Sequence, residues 1–164
     1  RKPAFRVAWV TARGAPLVKE VAQAAETDTP LAERLERVMT VLFAASGNEA
    51  VYQLWIEGWG RARRNKGLRL ELAWIREQLR LSVEDLLSAG KRDGTFRSDL
   101  DSGVMAAVIL GAADGLLLQS ANQGGPVPAD RLADSLLRAV LRNPAERSAP
   151  SPFPLPLGGE EDSR

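Results

Sequence analysis

Four large aromatic residues recur at helical intervals in the middle of the chain: Tyr52, Trp55 and Trp59 on one segment, and Trp74 on the next. Residues three or four apart lie on one face of a helix. Trp and Tyr each offer a broad apolar face with one polar handle, so such a cluster can hold a flat apolar, aromatic or cationic molecule. The same spacing also serves plain core packing. Gln78, one turn after Trp74, either anchors a polar group of such a molecule or stands on an exposed helix face. Asp114 lies among apolar residues, where a carboxylate needs partners. It is either a ligand anchor or a structural hydrogen-bond acceptor.

Much other chemistry is excluded. The chain has no His and no Cys. Ser-His-Asp triads, Cys-His pairs, imidazole or thiolate metal sites and disulfides therefore cannot form. Glu84 and Asp85 are adjacent carboxylates, but neighbouring helix residues diverge by about 100°, and no His completes a site. Neither catalysis nor a metal or cofactor is expected. The 22 basic and 21 acidic residues interleave, which describes a solvated surface rather than a DNA-gripping face. Arg61, Arg63 and Arg64 form a short basic run, read as a solvated helix end in preference to a contact with DNA or an acidic ligand. Uninterrupted apolar runs are only a few residues long, so no membrane span is expected. The lack of Cys is compatible with a reducing cytoplasm, which is the expected location. Arg1 opens the chain without Met, as at a truncation point.

The elements that would position these residues are all helical. Phe5 to about Glu26 forms a first helix in which Gly14-Ala15-Pro16 predicts a kink or restart. Thr29 is the expected N-cap of a second helix, with Pro30 at its first position. Leu31, Leu35, Val38, Leu42 and Ala45 form its stripe, and Ser46-Gly47-Asn48 ends it. An aromatic helix follows from Glu49 to about Arg63, then a turn at Asn65-Lys66-Gly67. Leu68, Leu72, Ile75, Leu79, Val83 and Leu86 predict a long helix over 68–89, with Gly90 just past its end and Gly94 in the next turn. Ser98 and Asp101 have capping-box spacing for a helix that runs to about Gln119. Gln123-Gly124-Gly125-Pro126 breaks the chain, and Pro128 opens a last amphipathic helix that stops at Asn143-Pro144.

Within 94–119, Gly111 and Gly115 sit four apart among Ala106, Ala107, Ala112 and Ala113. Each helical Gly costs about 1 kcal/mol against Ala, so two imply a packing reason. Either another helix of this chain approaches there, that of 68–89, or a second copy does. Lys19–Leu31 superficially has the form of a helix-turn-helix. Its turn lacks Gly and its second helix opens without basic or amide residues, so it is not read as one.

The order and spacing of these parts resemble the regulatory domain of tetracycline-repressor (TetR) family transcription factors. Arg1–Trp9, RKPAFRVAW, resembles the exit from that family's DNA-binding head, and Thr29–Leu35 the start of its second regulatory helix. Residues 90–119 resemble its penultimate helix with the preceding turn, and 128–141 its last helix. The resemblance implies an all-α bundle of about six helices over 1–143, with a two-helix dimerisation face. It further implies a homodimer paired through Gly111, Gly115, Leu118, Leu132, Leu136 and Val140, and a small apolar or aromatic effector among Tyr52, Trp55, Trp59, Trp74 and Gln78. Operator DNA would be bound through a helix-turn-helix head upstream of Arg1, and release of a repressor would be the usual outcome. The competing reading is a free-standing all-helical small-molecule-binding or scaffold protein without a DNA-binding role.

Residues 144–164 have five Pro and no helical period, the composition of an extended or disordered tail. Deleting them is expected to leave the melting temperature of the domain nearly unchanged. A fall of many degrees in a thermal melt would show instead that the tail docks on the bundle.

Overall fold

The computed structural model describes residues 3–44, 49–120 and 127–143, with side chains over 14–44, 55–119 and 127–143. Among them lie six helices: α1 (Pro3–Ala25), α2 (Leu31–Phe43), α3 (Glu49–Ala62), α4 (Lys66–Asp93), α5 (Ser102–Ser120) and α6 (Ala129–Val140). The fold is all-α, as expected. The expected breaks at Ser46-Gly47-Asn48 and Gln123–Pro126, and the tail 144–164, lie outside the described residues.

The helix ends follow local chemistry, though not always at the expected residue. Pro30 rather than Thr29 is the N-cap of α2, because its carbonyl accepts the first helical hydrogen bond, from the Arg34 N–H at 3.1 Å. The Thr29 hydroxyl is engaged with that of Thr27 at 3.0 Å, while the Thr29 carbonyl accepts from Arg34 Nε at 2.6 Å. Asn65, expected in a turn, caps α4: its Oδ1 accepts from the Leu68 N–H at 3.1 Å. The Ser98 capping box does not form. Asp101 takes that role alone, accepting from the Val104 N–H at 3.0 Å. α1 runs unbroken through Pro16, so the proline neither ends nor restarts it.

α4 is the post of the bundle. Leu68, Leu72, Ile75, Leu79, Val83, Leu86, Leu87 and Gly90 form its buried face. The helices α1, α2, α3 and α5 all pack on it, and α6 packs on α2. The apolar interior has two parts. The main core joins Ile75–Leu87 to Val21, Leu35, Val38, Met39, Ile109 and Val140, among others; a smaller one joins Leu68 and Leu72 to Ala62 of α3. α1 meets α4 where Gly14 faces Ile75, leaving no room for a Cβ. The residues after Gly14, Leu17, Val18 and Val21, belong to the main core with the later part of α4. α1 and α4 therefore run in the same direction.

α4 also runs longer than its apolar stripe implies. Gly90 lies inside it, and Gly94 ends it in the left-handed conformation at φ 84°. Gly90 is a glycine for a different reason: the ring of Phe96 lies against its Cα, where any Cβ would collide. The Phe96 N–H donates to the Gly90 carbonyl at 3.0 Å, and the ring is fully buried. The isolated antiparallel bridge between Phe96 and Leu141 then ties this turn to the end of α6, through Arg97 N–H to Val140 carbonyl at 3.0 Å and Arg142 N–H to Thr95 carbonyl at 3.1 Å.

Gly90→Ala is expected to lower stability by about 1–3 kcal/mol through overpacking, despite the gain in helix propensity. Gly60→Ala, at a helical position with open space around it, is expected to raise it by about 0.5–1 kcal/mol. Chemical denaturation of the two variants beside the parent checks both signs.

Candidate functional site

Two helices carry the aromatic candidates, and the fold separates them. The backbone of Tyr52 lies in α3, and its side chain falls outside the described residues. Trp55 is half-buried and packs on the small core of Ala62, Leu68 and Leu72. Trp59, one turn on, is 39% exposed, and the two indoles meet edge to face with centroids 6.2 Å apart and planes at 81°. Such pairs are favourable by about 0.5–1.5 kcal/mol beyond burial.

Trp74 does not join them on the inner side. On α4 it shares a stripe with Leu70 and Leu81, opposite the buried stripe of Leu68, Leu72, Ile75 and Leu79, and it is 53% exposed. Gln78 is half-buried at the border between the two faces. The sequence places Trp74 at a favourable distance along the chain, but its phase relative to Ile75 decides where it points.

Asp114 has a defined partner. Its Oδ2 accepts from Arg76 Nη1 at 2.6 Å, joining α5 to α4, with both side chains more than a third exposed. Nearby on α4, Arg80 pairs with Glu77 at 2.7 Å and with Glu84. The hydrogen bonds from Arg80 hold the Glu77 carboxyl below its ordinary range, and Arg97 does the same for Asp99. A carboxylate with a lowered pKa favours the fold above its unfolded pKa, and that support fades as pH falls through the lowered value. These pairs are exposed, so each contributes little in salt. Among the described residues, no group of acidic side chains has the arrangement of a metal site.

The second candidate surface is on α5. By length and composition alone Ser102–Gln119 could cross a membrane, contrary to the expectation from apolar run length. In the bundle, its Ala106, Ile109, Leu110, Leu116 and Leu117 face the interior. The opposite face carries Val104 (60% exposed), Val108 (46%), Gly111, Gly115 and Leu118 (47%). Among the described residues, nothing outside the neighbouring helix backbone lies within 4 Å of a Cβ placed on Gly111 or Gly115, so packing against the described helices gives neither glycine its reason. Val104 and Val108 share the phase of the two glycines, at intervals of four, three and four, a regularity that would have identified them in the sequence.

The α6 candidates divide. Leu132 and Leu136 are half-buried at the rim of the core. Val140 is 0% exposed and lies wholly in its own chain's interior. The Phe96–Leu141 bridge draws it inward, so Val140 has no surface to offer a second chain.

Residues 31–143 match the family model for the C-terminal domain of BetI-type transcriptional repressors. No curated protein matches the sequence. A solved structure, that of the ketosteroid transcriptional regulator KstR2 of Mycobacterium tuberculosis, is similar at 19% identity with a TM-score of 0.56. The match covers 77% of this chain and 66% of that one, so the chain spans just under two thirds of that relative's length. At this identity the likeness concerns the fold. The chain belongs to the TetR family of transcriptional regulators, of which it comprises the C-terminal domain.

Proposed function

We propose that this domain senses a small apolar molecule, pairs with a second copy through α5 and α6, and sets the spacing of DNA-binding heads that precede residue 1. The observation that carries the reading is the outer face of α5. It is a continuous apolar stripe bearing two helical glycines with open space over them among the described residues. Closely approaching helices need small residues of this kind, and the pairing of two helices from each copy forms a four-helix interface. Gly111, Gly115 and Leu118 form its centre, with Leu132 and Leu136 at its edge. Val140 takes no part.

The effector wall is built on Trp55, with Tyr52 and Trp59 on the same helix and Gln78 as a polar group at the margin. Trp74 is left out, since it stands on the other side of α4. A ligand alters DNA binding only by favouring one conformation over another. Two recognition helices reach successive major grooves at about 34–36 Å, and α1 is the lever that sets this distance. Gly14 against Ile75 is the point at which a shift of α4 passes to α1.

Sedimentation at micromolar concentration is expected to show a dimer, and Gly111→Leu to weaken it at least tenfold by overpacking. A monomeric parent would refute the interface. Trp55→Phe, which keeps most of the volume, is expected to reduce the affinity of a ligand found by native mass spectrometry, with its melt unchanged. Equal affinity in the Trp55→Phe and Trp59→Phe variants would remove the aromatic wall.

A further inference from the structure

The turn joining α3 to α4 concentrates positive charge in a chain whose total charge is nearly balanced. Arg61, Arg63, Arg64, Lys66 and Arg69 fall within nine residues that contain no acid, and outside them acids outnumber bases. Arg61 lies 3.8 Å from Glu57. Arg63, Arg64, Lys66 and Arg69 are exposed and have no acidic partner among the described residues. Elsewhere Arg76, Arg80, Arg97 and Arg138 have acidic partners, while Arg37, Arg92 and Arg131, unpaired among the described residues, are scattered over α2, α4 and α6, so it is the clustering that sets the turn apart.

The turn is also built rather than loose. The Arg64 and Asn65 N–H groups both donate to the Arg61 carbonyl, at 2.9 and 3.0 Å, and the Arg69 N–H to the Asn65 carbonyl at 3.0 Å. The Asn65 side chain is taken up in capping α4. Lys66 and Arg69 stand at the opening of α4, whose first turn has no acid, while Arg61, Arg63 and Arg64 stand at the C-terminal end of α3, where cations are favoured.

Its place in the bundle gives the charge a direction. α1 and α4 run the same way, in register at Gly14 and Ile75. From that level α1 extends back to Pro3, about 16 Å, and α4 back to Lys66, about 13 Å, at 1.5 Å per residue. The start of α1 and the basic turn thus share one end of the bundle.

We propose that the α3–α4 turn holds the phosphate backbone of DNA beside the site read by the head. This rests on the reading that the head joins at the start of α1. Arg63, Arg64, Lys66 and Arg69 supply charge and N–H donors to phosphate oxygens, which adds affinity without sequence preference. The polyanion and the exposed cations are complementary in sign, and a DNA-binding head is part of the reading on which this proposal rests.

The test uses the full-length regulator with its head, on an operator selected from random duplexes. The variant Arg63→Gln/Arg64→Gln/Lys66→Gln is compared with the exposed control Arg37→Gln/Arg92→Gln/Arg131→Gln. The turn variant is expected to bind about tenfold or more weakly at low salt. Its plot of log affinity against log salt should be shallower by about 0.9 for each phosphate it no longer neutralises, while the control matches the parent. The parent should also prefer a duplex with about ten extra base pairs on each side over the trimmed site, and the turn variant should lose that preference. An unchanged salt slope overturns the proposal, whether affinity stays or falls, since a fall alone would mean that the turn supports the head by protein contact. A parent that binds no DNA refutes the head reading itself, and with it this one.

Discussion

Everything in this bundle is referred to the contact between Gly14 and Ile75. It sets how close α1 lies to α4 and at what level. α4 is the helix on which four others pack, so its alignment with α1 defines the two ends of the domain. The basic turn and the start of α1 fall at one end. The turn containing Phe96 and the end of α6 fall at the other. Pro16, two residues on, removes one helical hydrogen bond from α1 near the same level, and the helix continues through it.

The helices are legible in the sequence because their apolar stripes are long and regular. The stripe of Leu68 through Leu86 predicts α4, and the buried face follows it residue for residue. Ends are less legible. Thr29, Gly90 and Ser98 all have the right chemistry for caps, but the neighbours Pro30, Gly94 and Asp101 take the role. A cap is decided by which carbonyl or side chain meets an orphan N–H, and residue type narrows that choice without making it. Gly90 misleads because a packing glycine and a capping glycine look alike in one dimension. Only the arrival of Phe96, six residues on, separates them.

The candidate sites are legible to a similar degree. Tyr52, Trp55 and Trp59 share a helix and hence a neighbourhood, which spacing can show. Trp74 lies on another helix, and its phase opposite the stripe of Leu68, Leu72, Ile75 and Leu79, which the sequence already shows, turns it away from them. The two α5 glycines are visible as an anomaly of propensity. Whether a neighbouring helix or a second copy explains them depends on α5's rotation, which exposes them. Val140 shows the converse, since an amphipathic period marks it as apolar but a long-range bridge turns it inward.

That bridge bears on the order in which the domain assembles. Helices and hairpin-like helix pairs close short loops, and such local contacts form early. The clasp of Phe96 on Gly90 is also local. Its pairing with Leu141 is not, because the whole of α5 and its following connection must be looped out before those two strand-like segments can meet. α6 is the last of the described helices, and it is through this long loop closure, rather than through neighbouring contacts, that Val140 reaches the core: without α6 the seat that holds Ala133 and Val140 stays open.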